Sequence, residues 1–162
     1  MVQLLASSMS SMSLDVGGLL LDTVPFARTL GIVFDAVGDG RAVCHVPDRP
    51  DLRNHVSGPH AGVLFTLAES ASGAAVLSAL GDQLSRAVPL PTTATIEYRK
   101  VALGEVRAEA RMLADREEIV ARLDAGERPV FDVAVSLTDA GGVVVSSLTV
   151  TWTLRPNRPT DT

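Results

Sequence analysis

From Gly58 to Leu80 the sequence runs GPHAGVLFTLAESASGAAVLSAL, and this stretch limits the possible folds more than any other. Pro59 stands where proline suits a first helical position, and Gly81 stands where helices commonly stop. Between them every face is apolar or small, so the predicted helix has no solvent side. A helix that is hydrophobic all round is a buried one. The rest of the chain has to wrap it.

The second half supplies the wrapping. Val106, Ala108, Ala110 and Met112 alternate with Arg107, Glu109 and Arg111, which gives a strand one buried and one wet face. Phe131, Val133, Val135 and Leu137 repeat the pattern, as do Leu148, Val150, Trp152 and Leu154 after the turn Asp139-Ala140-Gly141-Gly142. Residues 92–100 predict one more strand, and 115–125 (DREEIVARLDA) a short charged helix between strands. Before the long helix, residues 14–30 have helix-like apolar spacing interrupted by Pro25. Residues 32–37 and 41–46 then form a hairpin about Gly38-Asp39-Gly40. Pro47 and Pro50 keep residues 47–57 a polar loop. The order is helix, two strands, long buried helix, four strands. It is an α+β layout in which a curved antiparallel sheet wraps one long buried helix, and it resembles the hotdog fold.

A length of 162 residues fits one domain, and an apolar fraction of 46% can build its core. We expect that domain over residues 14–155. Residues 1–13 (MVQLLASSMSSMS) are expected to be a disordered tail, or to mark translation starting at Met9 or Met12, and 156–162 a polar tail. The first segment lacks the basic start and long apolar run of a secretory signal. No stretch is expected to supply the roughly 20 apolar residues that span a bilayer. A single cysteine, Cys44, excludes an intrachain disulfide and suits a reducing compartment, so the expected location is the cytoplasm. A net charge of -5 argues against nucleic acid as a partner.

Glu69 is the only charge within the apolar helix, among Leu67, Ala68, Ser70 and Ala71. Burying a carboxylate costs several kcal/mol unless it is paired or neutralised. Either it has chemical work to do, or it lies on an exposed strip with Thr66 and Ser70, or it pairs with an arginine. A second feature is the helix start, where the first backbone N–H groups have no intrahelical acceptor and the dipole adds positive charge. Small residues at Ala61 and Gly62 let a carbonyl approach those amides, as in an oxyanion hole. The plain alternative is a helix that merely begins at a loop.

Glu69 lies eight residues beyond Ala61, roughly 12 Å along the axis at about 1.5 Å per residue. One helix therefore cannot bring both groups to one carbonyl carbon. Two antiparallel copies across a two-fold axis can, which predicts a homodimer with two shared sites, with or without further pairing into a tetramer.

The run Asn54-His55-Val56-Ser57-Gly58-Pro59-His60-Ala61-Gly62, followed by Glu69 in a Leu-Ala-Glu context, resembles the motif of hotdog thioesterases of the phenylacetate-pathway (PaaI-like) and hydroxybenzoyl-CoA types. That motif has Asn or Gln, His-Gly-Gly six positions later, and an acid nine positions after the His. Here the spacings from Asn54 to His60 and from His60 to Glu69 are six and nine. The segment Ile96–Gly104 (IEYRKVALG) is also similar to the family's, and the likeness runs from Leu14 to Arg155.

The resemblance implies hydrolysis of an acyl-CoA-type thioester. Glu69 would be nucleophile or general base, and Asn54 would orient water or the carbonyl. The Ala61 N–H would polarise the carbonyl, and His60 would shape the helix start. From the residues themselves, Gly62 leaves room along the substrate path, and Arg99 and Lys100 either meet the phosphates of coenzyme A or form a solvated strand end. No metal or organic cofactor is implied beyond the coenzyme A of the substrate. Two positions depart from the pattern. Ala61 replaces the first glycine of the triplet, and Gly73 stands where several such enzymes carry a hydroxyl, leaving Ser70, Thr92 or Thr93 as helpers. The competing expectations are a non-enzymatic acyl-ligand binder and a hotdog enoyl-CoA hydratase or dehydratase.

Overall fold

The computed structural model describes residues 15–157, so the expected tail over 1–13 lies outside the described residues, as do residues 158–162 of the expected C-terminal tail. Two short helices open the domain, α1 (Val16–Thr23) and α2 (Pro25–Leu30), with Pro25 starting the second. Strands β1 (Val33–Gly38) and β2 (Arg41–Val46) form the expected hairpin. Its tight turn needs left-handed backbone at Asp39 (φ 50°) and Gly40 (φ 72°), which the Asp-Gly pair supplies cheaply. The long helix α3 (Ala61–Leu80) follows. Then come β3 (Ala87–Tyr98), β4 (Val106–Met112), α4 (Arg116–Asp124), β5 (Val130–Asp139) and β6 (Val144–Pro156).

The six strands make one antiparallel sheet in the order β1-β2-β4-β5-β6-β3, curved around α3 as in hotdog folds. The alternations seen in the sequence are the sheet's inner face. Val106, Ala108, Val133, Val135, Leu137, Leu148 and Val150 are buried there against Leu67, Ala68, Ala71, Ala74 and Ala75 of the helix. Alanines on α3 let the helix axis approach the sheet, and each fully buried leucine or valine adds about 1.5–3 kcal/mol. Thr153, predicted on the wet face of β6, is buried instead; its hydroxyl donates to the Pro129 carbonyl at 2.8 Å.

Several expectations need correction. The helix starts at Ala61, two residues after Pro59, because His60 is extended (φ -61°, ψ 144°) and caps it. Strand β3 begins at Ala87 rather than 92 and includes Pro89 and Pro91. Both prolines are tolerated because β3 is an edge strand, where a missing N–H costs no ladder bond. Strand β6 continues through Pro156, one residue past the expected domain boundary.

The helix α3 is also long and apolar enough to cross a bilayer by length and composition, against the expectation that no stretch reaches that size. It is mostly buried inside the protein. Nor is it closed on every side. A strip through Phe65, Thr66, Glu69, Ser70, Gly73 and Leu77 is only half-buried. Apart from Glu69 its residues are small, apolar or hydroxyl-bearing, so the sequence offers the strip only as an alternative, through Thr66, Glu69 and Ser70.

Candidate active site

The tip of α3 is built by the loop that precedes it. Arg53 and Pro59 form an isolated antiparallel bridge, and the His60 N–H donates to the Leu52 carbonyl at 2.8 Å, so the loop doubles back and presents the helix start outward. Gly58 is buried where a Cβ would come within 2.9 Å of the Ala102 carbonyl, so only glycine permits this approach. The His60 imidazole Nδ1 accepts the Gly62 N–H at 2.9 Å, while the His60 carbonyl accepts from Val63 and Leu64. One of the two amides expected at the tip is therefore occupied. The Ala61 N–H has no acceptor among the described residues and is exposed.

Asn54 is half-buried beside this tip. Its Oδ1 accepts the Val56 N–H at 3.0 Å and its Nδ2 donates to the Pro59 carbonyl at 3.4 Å, so the side chain braces the loop. Asn54, Ala61, Arg99 and Lys100 line one cavity of about 340 Å³. The Arg99 guanidinium is engaged by Glu97 at 2.8 Å and by the Ser147 hydroxyl at 3.0 Å. Lys100 makes no ion pair among the described residues. His60 and Gly62 open on the neighbouring groove with Phe65 and Thr66.

Glu69 belongs to a different cavity, of about 250 Å³, which shares no lining residue with that of Asn54 and Ala61. Its carboxyl has no hydrogen-bond or salt-bridge partner among the described residues, and no arginine reaches it. Burial pushes its pKa up from the ordinary carboxyl value, because the charged form loses water and gains no partner. Of the two plain alternatives for this residue, the ion pair with an arginine is not found among the described residues. The half-exposed strip is real, and Glu69 sits on it with Thr66 and Ser70. Ser70 lines the Glu69 cavity, whereas Thr92 and Thr93 do not, and the Thr92 hydroxyl donates to the Thr151 carbonyl.

Three residues with no assigned role in the sequence reading bear on these cavities. Tyr98 donates its hydroxyl to the Ala61 carbonyl at 3.1 Å. Trp152 borders the Glu69 cavity, and its indole N–H donates to the Ser72 hydroxyl at 3.3 Å; Ser72 in turn donates to the Glu69 carbonyl at 2.8 Å. A lone tyrosine after an alternating strand and a tryptophan on the inner face of another both look like packing residues. Nothing local marks them. Among the described residues no three His, Cys, Asp or Glu side chains gather as a metal cluster.

Residues 17–154 match the family model described as a domain of unknown function, DUF4442. The chain belongs to the DUF4442 family. No curated protein matches it. Among solved structures, this DUF4442 chain is similar to a Pseudomonas aeruginosa protein of unknown function described as a probable thioesterase. The identity is 26%, the TM-score 0.78, and the match covers 88% of this chain and 94% of that one. A thioesterase family protein from Silicibacter pomeroyi superposes with a TM-score of 0.72 at 18% identity, over 88% and 96% of the two chains. The E. coli PaaI protein from the phenylacetic acid degradation operon does so with a TM-score of 0.70 at 16% identity, over 91% and 97%. These likenesses establish the hotdog fold of the DUF4442 domain.

Proposed function

We propose that this DUF4442 domain hydrolyses an acyl-CoA-type thioester at a site made by two copies of the chain, with Glu69 of one copy facing the Ala61 amide of the other. The observation that carries the reading is a desolvated carboxyl, without a partner among the described residues, in the lining of an apolar cavity. A structural carboxylate in such a place is normally paired. The 26% identical probable thioesterase supports the same chemistry.

The reaction follows from the groups present. Glu69 accepts a proton from water as the water oxygen bonds to the thioester carbonyl carbon. The carbonyl π pair moves onto oxygen, where the Ala61 N–H meets the charge. Collapse breaks the C–S bond, and the leaving sulfur keeps the pair and takes the proton from Glu69. The products are a carboxylic acid and a thiol. A carboxyl made more basic by burial suits this work. Lys100, in the lining of the Ala61 cavity and without an ion pair among the described residues, fits a coenzyme A phosphate better than the engaged Arg99.

Support for the second copy comes from two surfaces. Strand β3 is an edge 12 residues long, and from Pro91 to Lys100 only Ile96 is even half-buried, so its rim is open to another chain. The half-buried strip of α3 is open as well. Cys44, a buried free thiol, fits a reducing compartment, and the proposed location is the cytoplasm.

A second reading, an acyl-ligand binder without catalysis, is favoured by one observation: both ends of the Asn54 amide are committed to the loop. A panel of acyl-CoA substrates with a thiol-detecting reagent separates the two. Hydrolysis predicts thiol release that falls by about 100-fold or more in Glu69→Gln. Release equal in both proteins, or none with any acyl chain, refutes it, and binding without release selects the second reading.

A further inference from the structure

The cavity beside Glu69 is walled by apolar side chains from several elements, among them Leu20 of α1, Val24 between α1 and α2, and Phe34 of β1. Glu69 and Ser70 contribute the only polar side chains of its lining apart from the Trp152 indole N–H, which is already donated to Ser72. Among the described residues no cationic side chain lines it. Its volume of about 250 Å³ holds about eight methylene-sized groups, if each takes roughly the 30 Å³ of a water molecule.

The floor is rigid. Trp152 is held by Ser72, and Ser72 is held by the Glu69 carbonyl, so the indole cannot swing aside without breaking a buried chain of hydrogen bonds. Above that ring sits Gly73. A Cβ built there would lie 3.7 and 3.8 Å from Trp152 Cη2 and Cζ2, ordinary van der Waals contact that fills the space without a clash. Glycine at this position leaves the ring edge open to the cavity.

We propose that this cavity is a size-limited pocket for an unfunctionalised short or medium acyl group, with Gly73 over Trp152 setting its depth. The inference rests on the thioester reading of Glu69 and names its substrate class. An acyl group bearing a carboxylate or phenolate has no cation to meet here and would face Glu69 itself, so the pocket discriminates against it by leaving a buried polar group unpaired. A chain longer than about eight carbons gains nothing from its extra methylenes.

Trp152 is the only tryptophan, so its fluorescence reports occupancy without any chemistry. Glu69→Gln protein is titrated with butyryl-, octanoyl-, palmitoyl- and succinyl-CoA. Octanoyl-CoA is expected to bind about tenfold or more tighter than butyryl-CoA, palmitoyl-CoA no tighter than octanoyl-CoA, and succinyl-CoA about tenfold weaker than butyryl-CoA. Adding Gly73→Ala is expected to weaken octanoyl-CoA about tenfold while butyryl-CoA stays within about twofold. Leu20→Ala, which thins the opposite wall, moves the preference to longer chains and guards against a folding defect in the glycine variant. Affinity that rises through palmitoyl-CoA, or a chain ranking that neither variant changes, overturns the pocket. If wild-type protein releases thiol through Glu69 and yet shows no such ranking, the pocket falls while hydrolysis stands. If the ranking appears without thiol release, hydrolysis falls and the pocket stands.

Discussion

The phenol of Tyr98 donates to the carbonyl oxygen of Ala61 at 3.1 Å, tying the last residue of β3 to the first residue of α3. The residue whose N–H has no acceptor among the described residues is thus held, through its carbonyl, from the sheet edge. Tyr98 also borders both the Ala61 cavity and the groove of His60 and Gly62, so it stands between the two openings at the helix tip.

Tyr98→Phe keeps the ring and removes the bond. The expected outcome is a fall in kcat of about fivefold, the equivalent of about 1 kcal/mol, with KM nearly unchanged. Because the bond is exposed, thermal stability should hardly move. A matching drop in Tm with no change in kcat would show that the tyrosine merely packs.

Glu69 leads to a stability prediction of unusual sign. Its folded pKa is raised by burial, so folding favours the protonated form. That contribution is fully present below the unfolded carboxyl pKa of about 4.3 and is lost as pH rises through the folded value. Glu69→Gln does not titrate. Its Tm should exceed that of wild type at neutral pH by a few degrees, at roughly 2–4 °C per kcal/mol, and the gap should close toward pH 4. Thermal scans across pH 4–8 check this, and a constant gap would contradict it.

Cys44 is fully buried on the inner face of β2, its Sγ 3.7 Å from the Leu67 carbonyl, and burial pushes its pKa up to about 12. The thiolate is the reactive form, so the native protein should resist thiol reagents at pH 8 and react fully only in denaturant. Fast labelling of native protein would mean that β2 and α3 separate readily. The same inertness keeps the protein's own thiol out of a thiol-release assay.

Much of this fold is visible in the chain wherever one face of an element is buried and the other wet, because a period of two then marks β4, β5 and β6 directly. The first residues of β3 are not visible in this way, since Pro89 and Pro91 would break a central strand and only the sheet order reveals that β3 is an edge. The helix start was misplaced for a related reason: Pro59 suits a first turn, but the His60 ring takes the Gly62 N–H and defines the cap from outside. Glu69 was legible as an oddity because a lone acid in an apolar helix has few innocent explanations. Its cavity was not, since Leu20, Phe34, Gly73 and Trp152 meet only through tertiary packing.

The sharing of a site between two copies can be tested with a substitution that the helix itself tolerates. Ala61 is the first residue of α3, after an extended His60. Proline is favoured at a first helical position, and an extended residue before it is what proline requires. Ala61→Pro therefore removes the free N–H while leaving the helix start intact. Alone, Ala61→Pro and Glu69→Gln should each be nearly inactive, because every dimer of either kind has two defective sites. Equal amounts of the two, unfolded together and refolded, should form mixed dimers as half of the population. In each mixed dimer one site carries both defects and the other carries neither, so activity should return to about a quarter of the wild-type rate. Recovery cannot arise if Glu69 and Ala61 of the same chain form the site, since every such site would hold one defect. A refolded mixture as inactive as its parents, with dimers present, would sink the shared site and leave each copy to work alone.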